Sequence, residues 1–396
     1  MKSSNVFILT EFISPEINST GYYWNNIATS LSSELTGVTC ISPRSSTQFE
    51  GSNFNLIEFD LYFKNNKENL FIRSLYQVEL IIKMILISKK HASSNDIFFT
   101  GTNPALMVFF IPILRKLTSA KWIILSHDVF PENLVSAGIF KRKNIIFKAL
   151  KKVVDYVISS SDGIIVIGRD MQEVMIRKHR NGSKDNINYI PNFYPPELDN
   201  KNIEPTFNST SGISNLSFSY FGNFGRVQAI PSLLKVINEA QIDNIKYFFI
   251  GDGACKNLLE EYAFKENFIF IDQIPFKDFQ QGLKYGDIGI VTLSSDMYGL
   301  AVPSKAYFYI GSRKKVLYLG PKNSELHRMI IKNPNLGWYA DINNLDECTF
   351  VLRNIALQFN NNQLKLGLSD HDIQEFKSDI VLARINKFIK KFLNYN

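Results

Sequence analysis

Short apolar runs alternate with stretches of helical spacing along almost the whole chain, and this alternation narrows the fold before any single residue is considered. Residues 6–9 read as a strand, 22–35 as a helix opening at Thr20-Gly21, and 37–42 as the next strand. Residues 96–100, 122–126 and 163–167 are further β-rich runs, each followed by a turn and a helical pattern. This order signals a parallel sheet, because parallel neighbours need a crossover and a helix supplies it. The stretch Ile190-Pro191-Asn192-Phe193-Tyr194-Pro195-Pro196-Glu197 and the polar run after it break the pattern. Clustered prolines can neither continue a helix nor donate to a ladder, so they mark a hinge. The alternation then restarts with strands at 218–221, 247–250, 268–271 and 288–293 and helices at 231–239 and 256–264. The expected architecture is α/β, two doubly wound domains facing a cleft. Residues 1–195 make the first, 196–215 a linker and 216–371 the second, and 372–396 are a C-terminal helix with the reach to return to the first. Ligands of open parallel sheets bind at the carboxyl ends of strands, which points to the cleft.

At 396 residues, 45% hydrophobic and 20% charged, the chain can fill two ordinary cores. Cys40, Cys255 and Cys348 are far apart and odd in number. That pattern offers neither a disulfide framework nor a cysteine zinc site, and it suits a reducing compartment. Met1-Lys2 leads straight into a strand-like run without a signal-peptide pattern. No stretch reaches the ~18 apolar residues of a membrane span. A cytoplasmic location is therefore expected.

The net charge of +7 is unevenly spread. Residues 1–60 carry two basic and six acidic side chains, whereas residues 61–152 carry fifteen basic and five acidic. Between 140 and 154 basic and apolar residues alternate at helical spacing, the basic ones being Lys141, Arg142, Lys143, Lys148, Lys151 and Lys152. Residues 76–90 repeat the character. Such a helix can lie apolar face down on an anionic bilayer, which implies a peripheral place on the inner face of the plasma membrane. The plainer alternative is a surface helix with a solvated basic face. No nucleic-acid recognition motif accompanies the basic patch.

Four loops after expected strands carry the chemistry. Asp296-Met297-Tyr298-Gly299-Leu300-Ala301-Val302-Pro303-Ser304-Lys305 lies between the run 288–293 and an aromatic helical stretch, 306–310. A glycine turn, a hydroxyl and a lysine thus sit where a strand hands over to a helix, a place that favours an anion. Lys305 adds a point charge suited to phosphate, though an ordinary capped helix with a solvated lysine would read the same. Gly222-Asn223-Phe224-Gly225-Arg226-Val227-Gln228 sets two glycines beside the forked donor Arg226, and Arg226 with Lys305 would clamp a pyrophosphate. Pro15-Glu16-Ile17-Asn18-Ser19-Thr20-Gly21 is a flexible turn opening a helix, fit for backbone contact with phosphate. It lacks GxGxxG, which speaks against a dehydrogenase. His127, at a strand end in Ser126-His127-Asp128, faces the expected cleft mouth and could hydrogen-bond a polar substrate. Gly251-Asp252-Gly253 alone marks only a tight turn.

Taken in order, the segments resemble the retaining glycosyltransferases of family 4, which have the GT-B fold, and most of all the bacterial branch that builds O-antigen, capsule and exopolysaccharide units. The matching stretches run from Thr10-Glu11-Phe12-Ile13-Ser14-Pro15-Glu16 to Gly337-Trp338-Tyr339. Between them lie Asp128-Val129-Phe130-Pro131-Glu132, Tyr220-Phe221-Gly222-Asn223-Phe224-Gly225, Phe249-Ile250-Gly251-Asp252-Gly253 and Val302-Pro303-Ser304-Lys305. The resemblance implies two Rossmann-like domains. It implies transfer of a hexose or N-acetylaminosugar, with retention, from a nucleotide sugar expected to be a UDP-sugar. The acceptor would be a lipid-linked (polyprenyl-pyrophosphate) glycan in lipopolysaccharide or other surface polysaccharide synthesis. No cofactor, metal or nucleic acid is implied, because positive residues stabilise the leaving diphosphate. His127, Arg226 and Lys305 take the catalytic places. Gly21, Gly222, Asn223, Gly225, Gly251, Gly253, Asp296, Gly299, Pro303, Ser304 and Glu325 take those of donor binding. No protein nucleophile is implied, so the two-carboxylate logic of glycosidases does not apply. The chain also departs from the family. Of the family's two spaced glutamates, the second holds the ribose. Aligned on Gly299 the pair falls on Asp296 and Ser304, and aligned on Val316 the second falls on Phe308. The turn before Val316 is Arg313-Lys314-Lys315 in place of Gly-Lys-Pro. A catalytically silent GT-B binding subunit is the alternative these departures raise.

Overall fold

The computed structural model describes residues 4–45, 53–65, 69–179, 184–199, 216–242, 245–262 and 265–393. Residues 200–215, most of the expected linker, lie outside the described residues. The first sheet contains β1 (Val6–Leu9), β2 (Val38–Pro43), β3 (Asn55–Phe59), β4 (Ile97–Gly101), β5 (Lys121–Ser126), β6 (Gly163–Val166) and β7 (Ile187–Tyr189), paired in the order β3-β2-β1-β4-β5-β6-β7. The second contains β8 (Leu216–Phe221), β9 (Ile245–Ile250), β10 (Phe268–Ile271), β11 (Ile288–Thr292), β12 (Val316–Gly320) and β13 (Gly337–Asp341), in the order β10-β9-β8-β11-β12-β13. All of these pairings are parallel. Each sheet reverses direction of winding beside its first strand, at β1/β4 and β8/β11, which opens a crevice at the carboxyl ends.

Central strands are buried along their whole length, as in β1, β6, β11 and β12, because helices cover both faces. That double burial is why they read as unbroken apolar runs. On the first sheet the helices are α1 (Ser19–Glu34), α2 (Leu70–His91), α3 (Met107–Thr118), α4 (Glu132–Ser136), α5 (Ile145–Ile158) and α6 (Arg169–Lys178). The second half carries α7 (Ile230–Ala240), α8 (Lys256–Glu260), α9 (Phe279–Gly282), α10 (Lys305–Gly311), α11 (Glu325–Lys332) and α12 (Leu345–Asn360). The single C-terminal helix expected from sequence is two, α13 (Asp370–Ile373) and α14 (Ser378–Lys390), because Lys377 adopts an extended backbone with ψ 138°. Helix α14 packs on α1: Asn386 Nδ2 donates to Ser30 Oγ at 2.9 Å, and Lys390 pairs with Glu34 at 2.5 Å. One apolar core joins the first sheet to α10 and α14, and a second lies between β8, β9, α7 and α12.

Candidate active site

The carboxyl ends of β8, β9 and β11 and the approach to α10 enclose a cleft of about 640 Å³ where the domains meet. Gly222 and Asn223 follow β8, Gly251 and Gly253 follow β9, and Pro303, Ser304, Lys305 and Phe308 form the opposite wall. Gly222 has φ 118° and Gly251 φ 144°, and a Cβ on Gly251 would lie 2.1 Å from the Gly222 carbonyl oxygen. Only glycine allows these two loops to touch through backbone and so keep the cleft open to a ligand.

Helix α10 is buried from Ala306 to Gly311, Phe308 included, and Tyr309 donates its hydroxyl to the Ser219 carbonyl at 2.7 Å. This anchoring leaves positions 305 and 308, neighbours one turn apart, on the cleft side. The Lys305 ammonium is 3.4 Å from the centre of the Tyr220 ring. It is buried and has no hydrogen-bond partner among the described residues. Burial pushes its pKa well below the usual ammonium range. Tyr220 is itself fixed, donating to the Asn223 carbonyl at 3.1 Å. An aromatic face satisfies a cation only in part, so the ammonium keeps unused N–H donors at the cleft wall. Arg226 does not join it. The side chain is exposed, and the turn Arg226–Gln228 gives the cleft Val227 and Gln228 instead. The expected Arg226–Lys305 clamp is therefore one cation and an amide. Gln228 Oε1 is buried without a partner among the described residues, and a Cβ on Gly225 would lie 2.3 Å from it. Gly225 thus makes room for Gln228 and does not itself line the cleft. Sequence reasoning passed over Gln228, although it closes the same glycine-rich segment.

From the first domain Ile17, Asn18 and Ser19 reach the cleft. Gly21, expected there, lies inside α1. Its N–H donates to the capping Asn18 Oδ1 at 2.9 Å, and a Cβ would lie 2.2 Å from the Ser14 carbonyl oxygen. Its small size serves helix packing. His127 is half-buried after β5, its ring centre 6.1 Å from that of Tyr23. Burial lowers its pKa to about 4, so the imidazole is neutral near pH 7. It does not line the cleft, but the chain beyond it is stitched to the rim. Asp128 bridges Ala301, and the Val129 N–H donates to the Leu300 carbonyl at 2.7 Å.

Three residues expected at the donor belong instead to a seam between the domains. The Asp296 carboxylate is exposed, while its carbonyl accepts from Ser136 Oγ at 2.7 Å. Gly299, at φ 69°, donates its N–H to Asp170 Oδ2 at 3.1 Å. Glu325 is 1% exposed and accepts from the Arg169 backbone N–H at 2.7 Å, the Arg169 guanidinium at 2.9 Å and the Tyr189 hydroxyl at 2.7 Å. Its lone pairs are committed to the first domain, leaving none for a ligand. Burial, with Glu325 nearby, raises the Asp170 carboxyl to about 6.

Helix α5 carries only part of the expected basic face: it starts at Ile145, so Lys141, Arg142 and Lys143 lie on the turn before it. Lys151 pairs with Glu132 and Asp155, both at 2.6 Å, and so drops out of the free charges. Lys141, Arg142, Lys143, Lys148 and Lys152 are exposed. Beside them Ile145 is 82% exposed, Ile146 67% and Tyr156 77%. Among the described residues no helix is long and apolar enough to cross a membrane.

Two parallel, doubly wound domains facing a cleft are the GT-B architecture. A Pseudomonas aeruginosa protein named "Probable glycosyltransferase WbjE" is 32% identical to the chain over 347 residues, 85% of each. The chain belongs to the glycosyltransferases. Sucrose-phosphate synthase from Thermosynechococcus elongatus shares the fold at a TM-score of 0.74 and 12% identity, with 98% of both chains covered. Anabaena Alr3699/HepE, solved in complex with UDP, does so at 0.69 and 12% identity, over 98% of this chain and 100% of that one. No family model matches the chain.

Proposed function

We propose that the chain is a retaining glycosyltransferase of family 4 that moves a sugar from a nucleoside diphosphate donor, a UDP-sugar in the first instance, to a lipid-linked glycan during surface polysaccharide synthesis. The observation that carries this reading is the buried Lys305 ammonium, with no partner among the described residues, in the cleft between the domains. A leaving diphosphate would take its donors as charge develops on the phosphate oxygens. Backbone at Gly222 and Gly251 would approach the same oxygens. Asp252 is the one carboxylate among the described residues that line the cleft, which suits a reaction without a paired acid and nucleophile. The complexes of HepE with UDP and UDP-glucose support the donor class, and the fold shared with the lipopolysaccharide outer core galactosyltransferase WaaB is compatible with a surface-glycan acceptor. The exposed cations and apolar side chains of α5 would hold the enzyme peripherally on an anionic inner membrane face.

The test is a thermal-shift panel with UDP, GDP, ADP and their sugar conjugates. A ligand at 100 times its Kd adds ~2.7 kcal/mol. One nucleotide should raise the melting temperature, and Lys305→Ala should abolish the rise. A flat panel would favour a catalytically silent GT-B subunit, the reading that Phe308 in place of a ribose-binding glutamate suggests.

A further inference from the structure

Resting on the membrane reading of α5 and deepening it, we infer that a hollow beside that helix is a headgroup site for a membrane lipid that ends in a phosphomonoester. The hollow holds about 430 Å³ and lies between α5 and the end of α6. Four of the residues that line it are lysines, Lys148, Lys151 and Lys152 of α5 and Lys178 of α6, and Asp155 is the one carboxylate among them. Its floor is an ion quartet that joins three helices. Lys178, with a side chain 3% exposed, pairs with Glu132 of α4 at 2.7 Å and with Asp155 at 2.5 Å. Lys151 pairs with the same two carboxylates, both at 2.6 Å. Two cations and two anions cancel there. Lys148 and Lys152 remain: both are exposed, both line the hollow, and neither has an ion pair among the described residues. They stand four positions apart on one face of α5, where like charges repel.

The Cβ atoms of such a pair are about 5–6 Å apart, so both ammonium groups can reach oxygens of a single phosphoryl group. A phosphodiester brings one negative charge and leaves one of the two lysines unmatched. A phosphomonoester carries about −1.5 to −2 near neutral pH on three acceptor oxygens, which meets both. What adjoins the hollow favours a lipid over a free phosphate ester. Tyr156, on its wall, is 77% exposed, and Val153, Ile146 and Ile145 of the same helix are 49%, 67% and 82% exposed. Beside a headgroup these side chains would sit at the acyl boundary, whereas a soluble ester leaves them in water.

The full chain is titrated with phosphatidylcholine vesicles that carry either phosphatidic acid or phosphatidylglycerol, the anionic contents being adjusted to equal zeta potential. Diffuse attraction is then the same for both. Wild type should bind the phosphatidic acid vesicles about tenfold more tightly, the factor that one further charge-assisted hydrogen bond supplies. The double variant Lys148→Gln, Lys152→Gln should bring that ratio down to about one, since only diffuse attraction is left. The wild-type ratio decides alone if the variant does not fold. Equal binding of the two vesicles by wild type, or a preference that survives in the double variant, would overturn the headgroup site and leave the peripheral membrane reading in place. The failure of that reading looks different: wild type binds neither vesicle, and the site falls with it. Calorimetry with soluble glycerol 3-phosphate separates the two sources of phosphate. It should bind about tenfold more weakly than phosphatidic acid in the vesicle, because it brings no chain to the acyl boundary. Equal affinity would assign the hollow to a free phosphate ester and overturn the lipid.

Discussion

Replacing Lys305 by methionine should make the ligand-free protein more stable while destroying its ligand response. The ammonium is buried with no hydrogen-bond partner among the described residues, and leaving such a group unsatisfied costs about 1–3 kcal/mol. The Tyr220 ring at 3.4 Å offsets roughly 0.5–2 kcal/mol of that. Methionine keeps the aliphatic stem and brings a thioether that also packs well on an aromatic ring, worth about 0.3–1.5 kcal/mol. The net expectation is a gain of about 1 kcal/mol, or a rise of ~1 °C in melting temperature near neutral pH for a chain of this length. The pH dependence gives a second check. The Lys305 pKa is depressed in the folded chain, so its penalty is full below that folded value. The penalty is then relieved as pH climbs toward the ~10.4 of an unfolded lysine. The advantage of the variant over wild type should therefore shrink as pH is raised through that window. Differential scanning calorimetry across the range, with and without the nucleotide that binds wild type, measures both effects. A variant that melts lower than wild type at neutral pH, or that keeps the full nucleotide shift, would refute the reasoning.

Glu325→Gln removes the charge from a buried carboxylate whose partner Arg169 is 31% exposed at its side chain, so solvent softens the loss. Urea unfolding should show a cost of about 2–3 kcal/mol, below the 3–5 of a fully buried pair. Arg226→Ala should change nucleotide affinity less than threefold, because that side chain is exposed outside the cleft, and an effect as large as that of Lys305→Ala would restore the two-cation clamp. The double variant Lys148→Glu, Lys152→Glu should lose co-sedimentation with vesicles containing anionic lipid while keeping the wild-type melting temperature. In wild type that co-sedimentation should weaken with salt, as exposed charges are screened. Binding that ignores both salt and the two lysines would remove α5 from the membrane.

The sheets were legible in the sequence because burial on both faces leaves an uninterrupted apolar signature. Four strands escaped notice, and not all are weak: β12 is buried along its whole length but follows the basic turn Arg313-Lys314-Lys315, and β13 opens on a glycine. β3 is an edge strand with mostly half-exposed side chains, and β7 is only three residues long. Lys305 could be singled out because Pro303-Ser304-Lys305 sits at a strand-to-helix handover, a local pattern. Glu325, Gly299 and Asp296 were assigned to the donor by order along the chain. Their true partners, Arg169, Tyr189, Asp170 and Ser136, are 129 to 160 residues away. A one-dimensional pattern holds no sign of such pairs, and a buried acid in a seam reads the same as one in a cleft. Gly21 shows a related ambiguity: a glycine that admits phosphate and one that admits the Ser14 carbonyl look identical in sequence.

The placement of the seam residues changes how the loop before α10 has to be understood. Residues 296 to 301 are tied to the first domain by the Ser136, Asp170 and Val129 hydrogen bonds, and the next four residues, Val302 to Lys305, line the cleft. Gly299 is required within that tie, since its φ of 69° and the 2.7 Å approach of Val174 Cγ2 leave no room for a side chain. The unpaired cation is therefore carried on a segment whose shape is set by the opposite domain. Separating the domains would release residues 296–301 and, with them, the fixed position of the ammonium over Tyr220. Docking of the two domains and assembly of the anion site are in this way one event, with the Asp170 carboxylate, the Ser136 hydroxyl and the Val129 N–H holding the segment that carries Lys305.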